Sequence, residues 1–388
     1  MLDGFPLTDE QRAIWDMARA FADKRVAPEA ARRDREHRFP FDLVSEMSQL
    51  GFMGVKVPEA DGGTGADMMS YVLAVSEISR ACASTGVTMA VCNLAADILS
   101  RFGNDAQKQR WLAPYLEGKL GPASFALSEP QSGTDAAALQ TTAVLDGGDY
   151  VLNGHKQWIT NGTHAAFHII FARVLNAAAP VTSGPKGITC FLVERGSKGL
   201  DAGTEEKKMG LRASNTAQLH LDDVRVPADN VIGEIGKGYA VALAGLDSGR
   251  IGIAAQALGI AEAAFAEGVR YAKERRAFGK AVADFQASQL AIADSRTDIE
   301  MAWLLTLKAA ALRDAYSERT PLASSMAKLA ATEGCGRVVD RMLQLHGGYG
   351  YVEDYAIERL YRDARVTRLY EGTSEVQRIV IARDMLAR

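Results

Sequence analysis

The chain has 388 residues, a net charge of −4, 47% hydrophobic residues and 24% charged residues. The chain is longer than one that folds around a single hydrophobic core, so its length predicts two or three domains in a soluble globular protein. A slightly acidic chain has no polybasic surface, which argues against nucleic acid or an anionic membrane as a partner. The four scattered cysteines and six histidines lack the spacing of a disulfide framework or a metal site, and no apolar run predicts a membrane span.

Residues 1–121 have helical periodicity and predict an N-terminal helical domain. Thr8 and Gln11 predict a capping box at the start of the first helix, whose apolar stripe we expect to end at Pro28. Two later helices are predicted to begin at side-chain caps, which are Asp67 and Asn104.

From residue 122 to residue 232 the hydrophobic period changes to two, which predicts a middle β domain, an antiparallel barrel or sandwich. Two aspartates and two glycines at 146–149 predict a hairpin turn. Strands are predicted at 141–145, 150–152, 167–174, 188–194 and 217–226. A stretch with two prolines at 177–187 predicts a surface loop.

Residues 233–388 return to helical periodicity, with long apolar segments at 238–273, 285–316 and 321–345. Helices this long and this apolar must be buried against one another, so we predict a C-terminal four-helix bundle. The whole chain is therefore predicted to be an α+β multidomain protein, with helices first, then the β domain, then the bundle.

Glu371 is the first candidate for chemistry, because it lies on a glycine-containing turn just before a strongly patterned helix. Ser374 and Gln377 predict a capping box at the start of that helix, which leaves Glu371 outside regular structure. Taken alone, this residue is most simply a solvated loop glutamate. Among apolar groups, however, desolvation would raise its pKa against the lowering effect of the helix N-terminus. Such a base suits removal of a carbon-bound proton.

Three further segments contain groups suited to a flat polar ligand. Residues 125–135 lead from a strand into a loop rich in hydroxyl groups, glycine and acids, which suits a heteroaromatic edge or a phosphate. Residues 156–162 place a tryptophan near a hydroxyl group, and the small residues at 344–350 permit close backbone approach. Each segment alone is typical of an ordinary turn, but their joint occurrence at the domain changes indicates a common site.

Together these motifs resemble the acyl-CoA dehydrogenase family over essentially the whole chain, and its short-chain and isobutyryl-type members in particular. Residues 126–129 with 132–135 resemble one family signature, and residues 344–351 with Asp354, Arg359 and Asp363 resemble another. Further matches lie at 158–160, 247–250, 273–279 and 370–373. The family's helical, β and helical-bundle domains agree with the order that periodicity predicts.

The resemblance implies an FAD-dependent enzyme that converts a short-chain or branched short-chain acyl-CoA to the trans-2-enoyl-CoA. Glu371 would take the α-proton, while the β-hydrogen leaves as hydride to the flavin. The implied FAD contacts are Phe125, Leu127, Ser128, Thr134, Trp158, Thr160, Arg275, Phe278, Gln286, Gln344, Gly347, Gly348, Thr373 and Glu375. The implied acyl-CoA contacts are Thr134, Asp247, Arg250, Tyr370 and Gly372.

The resemblance also implies partners. An electron-transferring flavoprotein is expected to accept the electrons, and a homotetramer built as a dimer of dimers is expected to complete FAD binding across a subunit interface. No nucleic acid and no membrane span are expected. We expect a cytoplasmic location if the chain is bacterial, or the mitochondrial matrix if it is a processed eukaryotic chain.

Four positions depart from the pattern of some relatives. Some members place the base where this chain has Gly249, which cannot serve, so Glu371 is the expected base. Gln131 replaces a common glycine, and Thr134 replaces a common serine. Thr88 occupies the position of an arginine in relatives that use dicarboxylic acyl groups, which argues against glutaryl-type substrates.

Three alternatives stay open at this point. A nicotinamide dehydrogenase needs a Rossmann glycine pattern, whereas the glycines at 233–238 have the wrong order and context. A flavoenzyme of the same fold with another acyl specificity or oxidase chemistry shares the motifs, and its reactivity with oxygen would separate it. A helical binding protein that has lost catalysis would lack yellow colour, and the retained Glu371 argues against it.

Overall fold

The computed structural model describes residues 5–175 and 184–387, and the N-terminal part is helical as predicted. Thr8 and Gln11 form the predicted capping box, and Asp67 and Asn104 each cap the helix that follows them. The helices are α1 (Asp9–Phe21), α2 (Ala27–Glu36), α3 (Phe41–Gln49), α4 (Met68–Ala81), α5 (Ala83–Phe102), α6 (Asp105–Gln107) and α7 (Ala113–Leu116).

The prediction that the first helical segment ends at Pro28 is wrong. A π-helical turn at Ala22–Val26 leads from α1 directly into α2. Pro28 then lies in the first turn of α2, the part of a helix that tolerates the missing N–H best. Proline therefore marks the start of a helix here and not its end.

Helix α5 is long and apolar enough, by length and composition, to cross a membrane, so the sequence does contain such a stretch among the described residues. However, 94% of its most apolar window is buried inside the fold. A core helix passes the same test, and burial on this scale is what a core helix requires.

In the described residues, an eight-stranded sheet follows the first helices, in the order β6-β7-β3-β2-β4-β5-β8, with β1 also paired to β4. The strands are β1 (Ala123–Ala126), β2 (Thr142–Asp146), β3 (Asp149–Thr160), β4 (Phe167–Leu175), β5 (Ile188–Glu194), β6 (Leu200–Glu205), β7 (Thr216–Pro227) and β8 (Val231–Ile232). The predicted strands and the hairpin at 146–149 are confirmed, whereas β6 and β8 were not predicted. Most of the predicted loop at 177–187 lies outside the described residues.

The sheet is mixed, so the antiparallel prediction needs a correction at two pairings. Strand β4 runs parallel to both β1 and β2, whereas β2–β3, β3–β7, β6–β7, β4–β5 and β5–β8 are antiparallel. Parallel neighbours need a long connection in the chain. Here β3 and its flanking turns lie between β2 and β4, and β1 comes earlier still. Local hairpin signals therefore identified the strands but not these two pairings.

The C-terminal part is the predicted set of long helices. They are α8 (Gly238–Glu274), α9 (Gln286–Asp314), α10 (Thr320–His346), α11 (Ala356–Val366) and α12 (Ser374–Leu386), with a hairpin of β9 (Arg276–Ala277) and β10 (Lys280–Ala281) between α8 and α9. Helix α10 packs against the four other helices of this set, and α4 from the N-terminal part also packs along α8. The two helical parts thus share one buried core, which includes Ile78, Ile260, Trp303 and Val338.

Helix α11 connects the three parts of the chain through two adjacent side chains. Arg362 forms an ion pair with Asp34 of α2 at 2.7 Å. The carboxylate of Asp363 accepts a hydrogen bond from the Leu211 N–H, just before β7, at 2.6 Å. Burial raises the pKa of Asp363 to about 6, whereas the hydrogen bond from the Leu211 N–H favours its ionised form.

Candidate active site

Glu371 lies on a left-handed turn between α11 and α12. Its φ is 53°, and that of Gly372 is 86°. A non-glycine residue in this region costs of order 1–3 kcal/mol and persists only where the surroundings hold it. Glu371 is one of eight non-glycine residues with positive φ among the described residues, and it is the residue that the sequence indicates as the base.

The predicted capping box at Ser374 and Gln377 is wrong. Thr373 is the N-cap of α12, and its hydroxyl oxygen accepts a hydrogen bond from the Val376 N–H at 3.4 Å. Ser374 instead donates its hydroxyl to Glu333 of α10 at 2.6 Å. The amide of Gln377 donates to the carbonyls of Glu371 and Gly372. Ser374 and Gln377 therefore both stabilise the turn, but neither of them caps α12.

The carboxyl group of Glu371 is desolvated and incompletely satisfied. Its Oε2 atom is buried and has no hydrogen-bond partner among the described residues. The main chain of α8 approaches it closely, since a Cβ added to Gly249 would lie 2.5 Å from Oε2. Burial raises the pKa of Glu371 to about 7, although Arg250 and Lys328 act in the opposite direction. An unpaired carboxylate with this pKa is a base that operates near neutral pH.

The predicted acyl-CoA contacts Asp247, Arg250, Tyr370 and Gly372 are grouped around this turn. Arg250 is buried on α8 and forms an ion pair with Asp247 at 3.0 Å, while its Nε atom has no partner among the described residues. The hydroxyl of Tyr370 donates to Gln256 of α8. Two unsatisfied buried polar atoms, one acidic and one basic, indicate a place for a polar ligand.

The loop at 125–135 is anchored by a buried ion pair. Lys156 of β3 is fully buried and donates to Glu129 at 2.7 Å and to the Leu127 carbonyl at 3.3 Å. Burial lowers the pKa of Lys156 to about 8. The Thr141 N–H also donates to Glu129, at 3.0 Å. Gln131 donates its amide to Glu129 at 2.7 Å, which gives this departure from the family pattern a structural role.

These hydrogen bonds bring part of the predicted cofactor site together at the end of β3. The Gln157 N–H donates to the Ser128 carbonyl at 2.9 Å, which joins the loop to the end of β3. There Trp158 has a φ of 62° and a side chain that is 63% exposed, at an irregularity in the β3–β7 pairing. An exposed indole next to a polar loop offers a flat surface on which an aromatic ligand can stack. Thr134 is exposed on the same loop.

A second group of predicted cofactor contacts lies at an end of the bundle. Arg275, Gln344, Gly347 and Gly348 line one surface groove, in which the two glycines face open space. Phe278 lies on the β9–β10 turn with a φ of 51° and a 96% exposed side chain. The described lining of this groove includes no residue of the 125–135 loop. Gln286 is exposed at the start of α9, and Thr373 and Glu375 lie at the start of α12.

Several residues of the site were not identified from the sequence. Lys328 of α10 donates its ammonium group to the Gly372 carbonyl at 2.8 Å, and Gln256 holds Tyr370. Tyr71 of α4 lies near enough for the charge of Glu371 to raise its pKa, although burial is the larger cause. The available signal for Lys328 was a single lysine inside the apolar run 327–331. In the described part of the chain, no group of His, Cys, Asp and Glu side chains could hold a metal ion.

Comparison with known proteins identifies the family. Three domain descriptions match the chain: the acyl-CoA dehydrogenase N-terminal domain at 8–119, the middle domain at 124–224 and the C-terminal domain at 236–386. The chain belongs to the acyl-CoA dehydrogenase family. Its members are flavoproteins and oxidoreductases, so the family and enzyme class predicted from the sequence are confirmed.

Individual relatives narrow the comparison within this family. The short-chain specific acyl-CoA dehydrogenase of Clostridium acetobutylicum is 45% identical over 380 residues, which is 97% of this chain and 98% of that protein. The structure of butyryl-CoA dehydrogenase from Megasphaera elsdenii is 40% identical, with a TM-score of 0.94 over 98% of this chain and 99% of that one. A chain in a structure described as the electron transferring flavoprotein of Acidaminococcus fermentans is 44% identical, with a TM-score of 0.95 over 99% and 100% of the two chains.

Proposed function

We propose that the chain catalyses FAD-dependent α,β-dehydrogenation of a short-chain or branched short-chain acyl-CoA to the trans-2-enoyl-CoA. The observation that carries the proposal is the buried, unpartnered carboxylate oxygen of Glu371, in a group whose pKa burial raises to about 7. The similarity to short-chain and butyryl-CoA dehydrogenases supports the short acyl group.

In this proposal Glu371 takes the α-proton of the thioester. Its Oε2 atom has no competing hydrogen bond among the described residues, so it can accept a proton without first breaking one. Negative charge then develops on the thioester carbonyl, and a fixed donor there is worth about 3–4 kcal/mol. We assign this role to the Glu371 N–H, for which the described residues provide no backbone acceptor.

The proposed FAD site combines Leu127, Ser128, Trp158 and Thr160 at the sheet edge with the groove of Arg275 and Gln344 from a second subunit. When bound, FAD supplies the acceptor for the β-hydrogen as hydride. The exposed indole and the glycine-lined groove fit a ligand with a flat ring and a polar tail. The ion pair of Lys156 and Glu129 keeps the 125–135 loop in place. Bound substrate would cover the carboxyl group of Glu371 and exclude water from it.

The proposal includes two protein partners. A homotetramer is supported by apolar side chains that α9 leaves exposed, which are Leu290, Met301 and Leu304. An electron-transferring flavoprotein is proposed as the acceptor, because the 44% identical chain from Acidaminococcus fermentans comes from a structure described by that name.

Anaerobic bleaching of the bound flavin by butyryl-CoA, isobutyryl-CoA and octanoyl-CoA tests the function. We expect the two short thioesters to bleach it fastest. Glu371→Gln should retain the flavin and reduce the bleaching rate by about 10²–10⁴-fold, the usual contribution of a positioned base. The matched control is Glu318→Gln, which neutralises an exposed glutamate after α9 and should bleach like the parent.

A Glu371→Gln variant that bleaches as fast as the parent would overturn the assignment of the base. Rapid reoxidation of the reduced flavin by air would instead indicate oxidase chemistry on the same fold.

A further inference from the structure

Lys328 is a buried lysine that the proposed reaction does not yet use. It lies on α10 in an apolar run, and its side chain is 0% exposed. Burying an ammonium group is costly unless hydrogen bonds and charge compensate it. Its observed hydrogen bond is to the Gly372 carbonyl, at 2.8 Å, one residue beyond the proposed base.

This hydrogen bond is part of a clamp on the turn that carries Glu371. Glu333, five residues after Lys328 on α10, accepts the Ser374 hydroxyl at 2.6 Å. Gln377 donates to the Gly372 carbonyl at 2.9 Å and to the Glu371 carbonyl at 3.0 Å. The clamp therefore acts on the residues around the left-handed position, where backbone strain requires support.

Lys328 also affects the charge of Glu371. The charged or titratable groups around this carboxyl are Arg250 of α8, Lys328 of α10, Tyr71 of α4 and the adjacent Tyr370. Arg250 is already paired with Asp247 at 3.0 Å, which offsets its charge. Lys328 makes no ion pair within 4 Å among the described residues, and Glu333 and Glu375 interact with it only at longer range. Arg250 has the larger effect on the pKa of Glu371, and Lys328 is the second cation that lowers it.

The protonation state of Lys328 is consistent with this effect. Burial lowers the pKa of Lys328 to about 8, which still leaves it mostly charged at pH 7, where Glu371 titrates. A nearby cation favours the ionised form of a carboxyl group and so opposes desolvation. Without that cation, Arg250 alone would oppose the effect of desolvation, and the buried carboxyl would remain protonated to higher pH.

We propose, on the basis of the proposed function, that Lys328 is a positioning residue for Glu371: it holds the base-bearing turn through the Gly372 carbonyl and keeps the carboxylate ionised through its charge. The proposal assigns two separable roles to one side chain. The hydrogen bond determines where the carboxylate lies, and the charge determines the pH at which it becomes a base.

Two variants separate these roles. Lys328→Met removes the donor and the charge, whereas Lys328→Gln removes the charge and retains an N–H group toward the Gly372 carbonyl. The measurement is the rate of anaerobic flavin reduction by butyryl-CoA in single turnovers between pH 5.5 and 9. Both variants should move the midpoint of the pH profile upward by about one pH unit, which is the lower end of the pKa shift expected when an adjacent opposite charge is lost. Lys328→Met should also lower the limiting rate at high pH, and Lys328→Gln should retain more of it.

The control is Lys24→Met, which removes the same charge from an exposed position in the π-helical turn at Ala22–Val26 and should leave the profile unchanged. A purely structural lysine would lower the melting temperature in both variants without moving the midpoint, and that result would overturn the proposal. If Lys328→Met does not fold, the midpoint of Lys328→Gln alone decides the question of charge.

The Glu371→Gln variant distinguishes this inference from the proposed function. If Glu371→Gln still reduces the flavin, the proposed base is wrong. If it does not, and the Lys328 variants have the parent's midpoint, only the role of Lys328 is refuted.

Discussion

Replacing Gly249 by alanine should displace the base without disturbing the fold. The added Cβ would lie 2.5 Å from Glu371 Oε2, and an ordinary contact needs 3.4 Å, so the carboxylate must move by about 0.9 Å. The atom that must move is the end of a flexible side chain, and alanine is favoured over glycine in a helix by about 1 kcal/mol. A misplacement of about 1 Å near the reacting atoms can lower a rate about 10²-fold.

We therefore expect Gly249→Ala to melt no lower than the parent and to reduce its flavin about 10²-fold more slowly in anaerobic stopped-flow experiments with butyryl-CoA. Gly334→Ala is the matched control, because it also adds a Cβ inside a long helix, but with no neighbour closer than 3.7 Å. It should keep the parent's rate. A Gly249→Ala variant that also kept the parent's rate would show that the carboxylate does not work from the position described.

Two further predictions follow from the buried charges. The pKa of Glu371 is raised to about 7, and only its ionised form accepts a proton. We therefore expect kcat/KM to rise about tenfold per pH unit below pH 7 and to level off above it. A flat profile from pH 5.5 to 8 would contradict this. Lys156→Met leaves the Glu129 carboxylate buried without its cation, which should cost about 3–5 kcal/mol and weaken flavin retention. Adding Glu129→Gln should restore part of the melting temperature, and no restoration would argue against the ion pair as the cause.

Elements defined by neighbouring residues were predictable from the sequence. The capping box of Thr8 and Gln11 and the caps at Asp67 and Asn104 depend on groups within three residues of one another. The hairpin at 146–149 likewise depends on local turn residues. The family motifs, which are also short, were sufficient to identify the family that the comparisons confirm.

Features that depend on distant residues were not predictable in the same way. Ser374 and Gln377 have the spacing of a capping box, but Glu333 and the carbonyls before α12 compete for their hydrogen bonds. The parallel pairs of β4 and the approach of Gly249 to Glu371 depend on how separate elements pack. A periodic pattern indicates which face is buried, but it does not identify the partner across that face.

The two side chains that α11 directs toward α2 and toward the start of β7 give this short helix an importance beyond its eleven residues. Arg362 and Asp363 are neighbours in sequence, so a movement of the helix that breaks one contact also strains the other. Helix α11 also leads directly into the turn of Glu371. The carboxylate that we propose as the base therefore follows a helix that is bound both to the first helices and to the segment before β7, so a shift of either part would be transmitted to its turn.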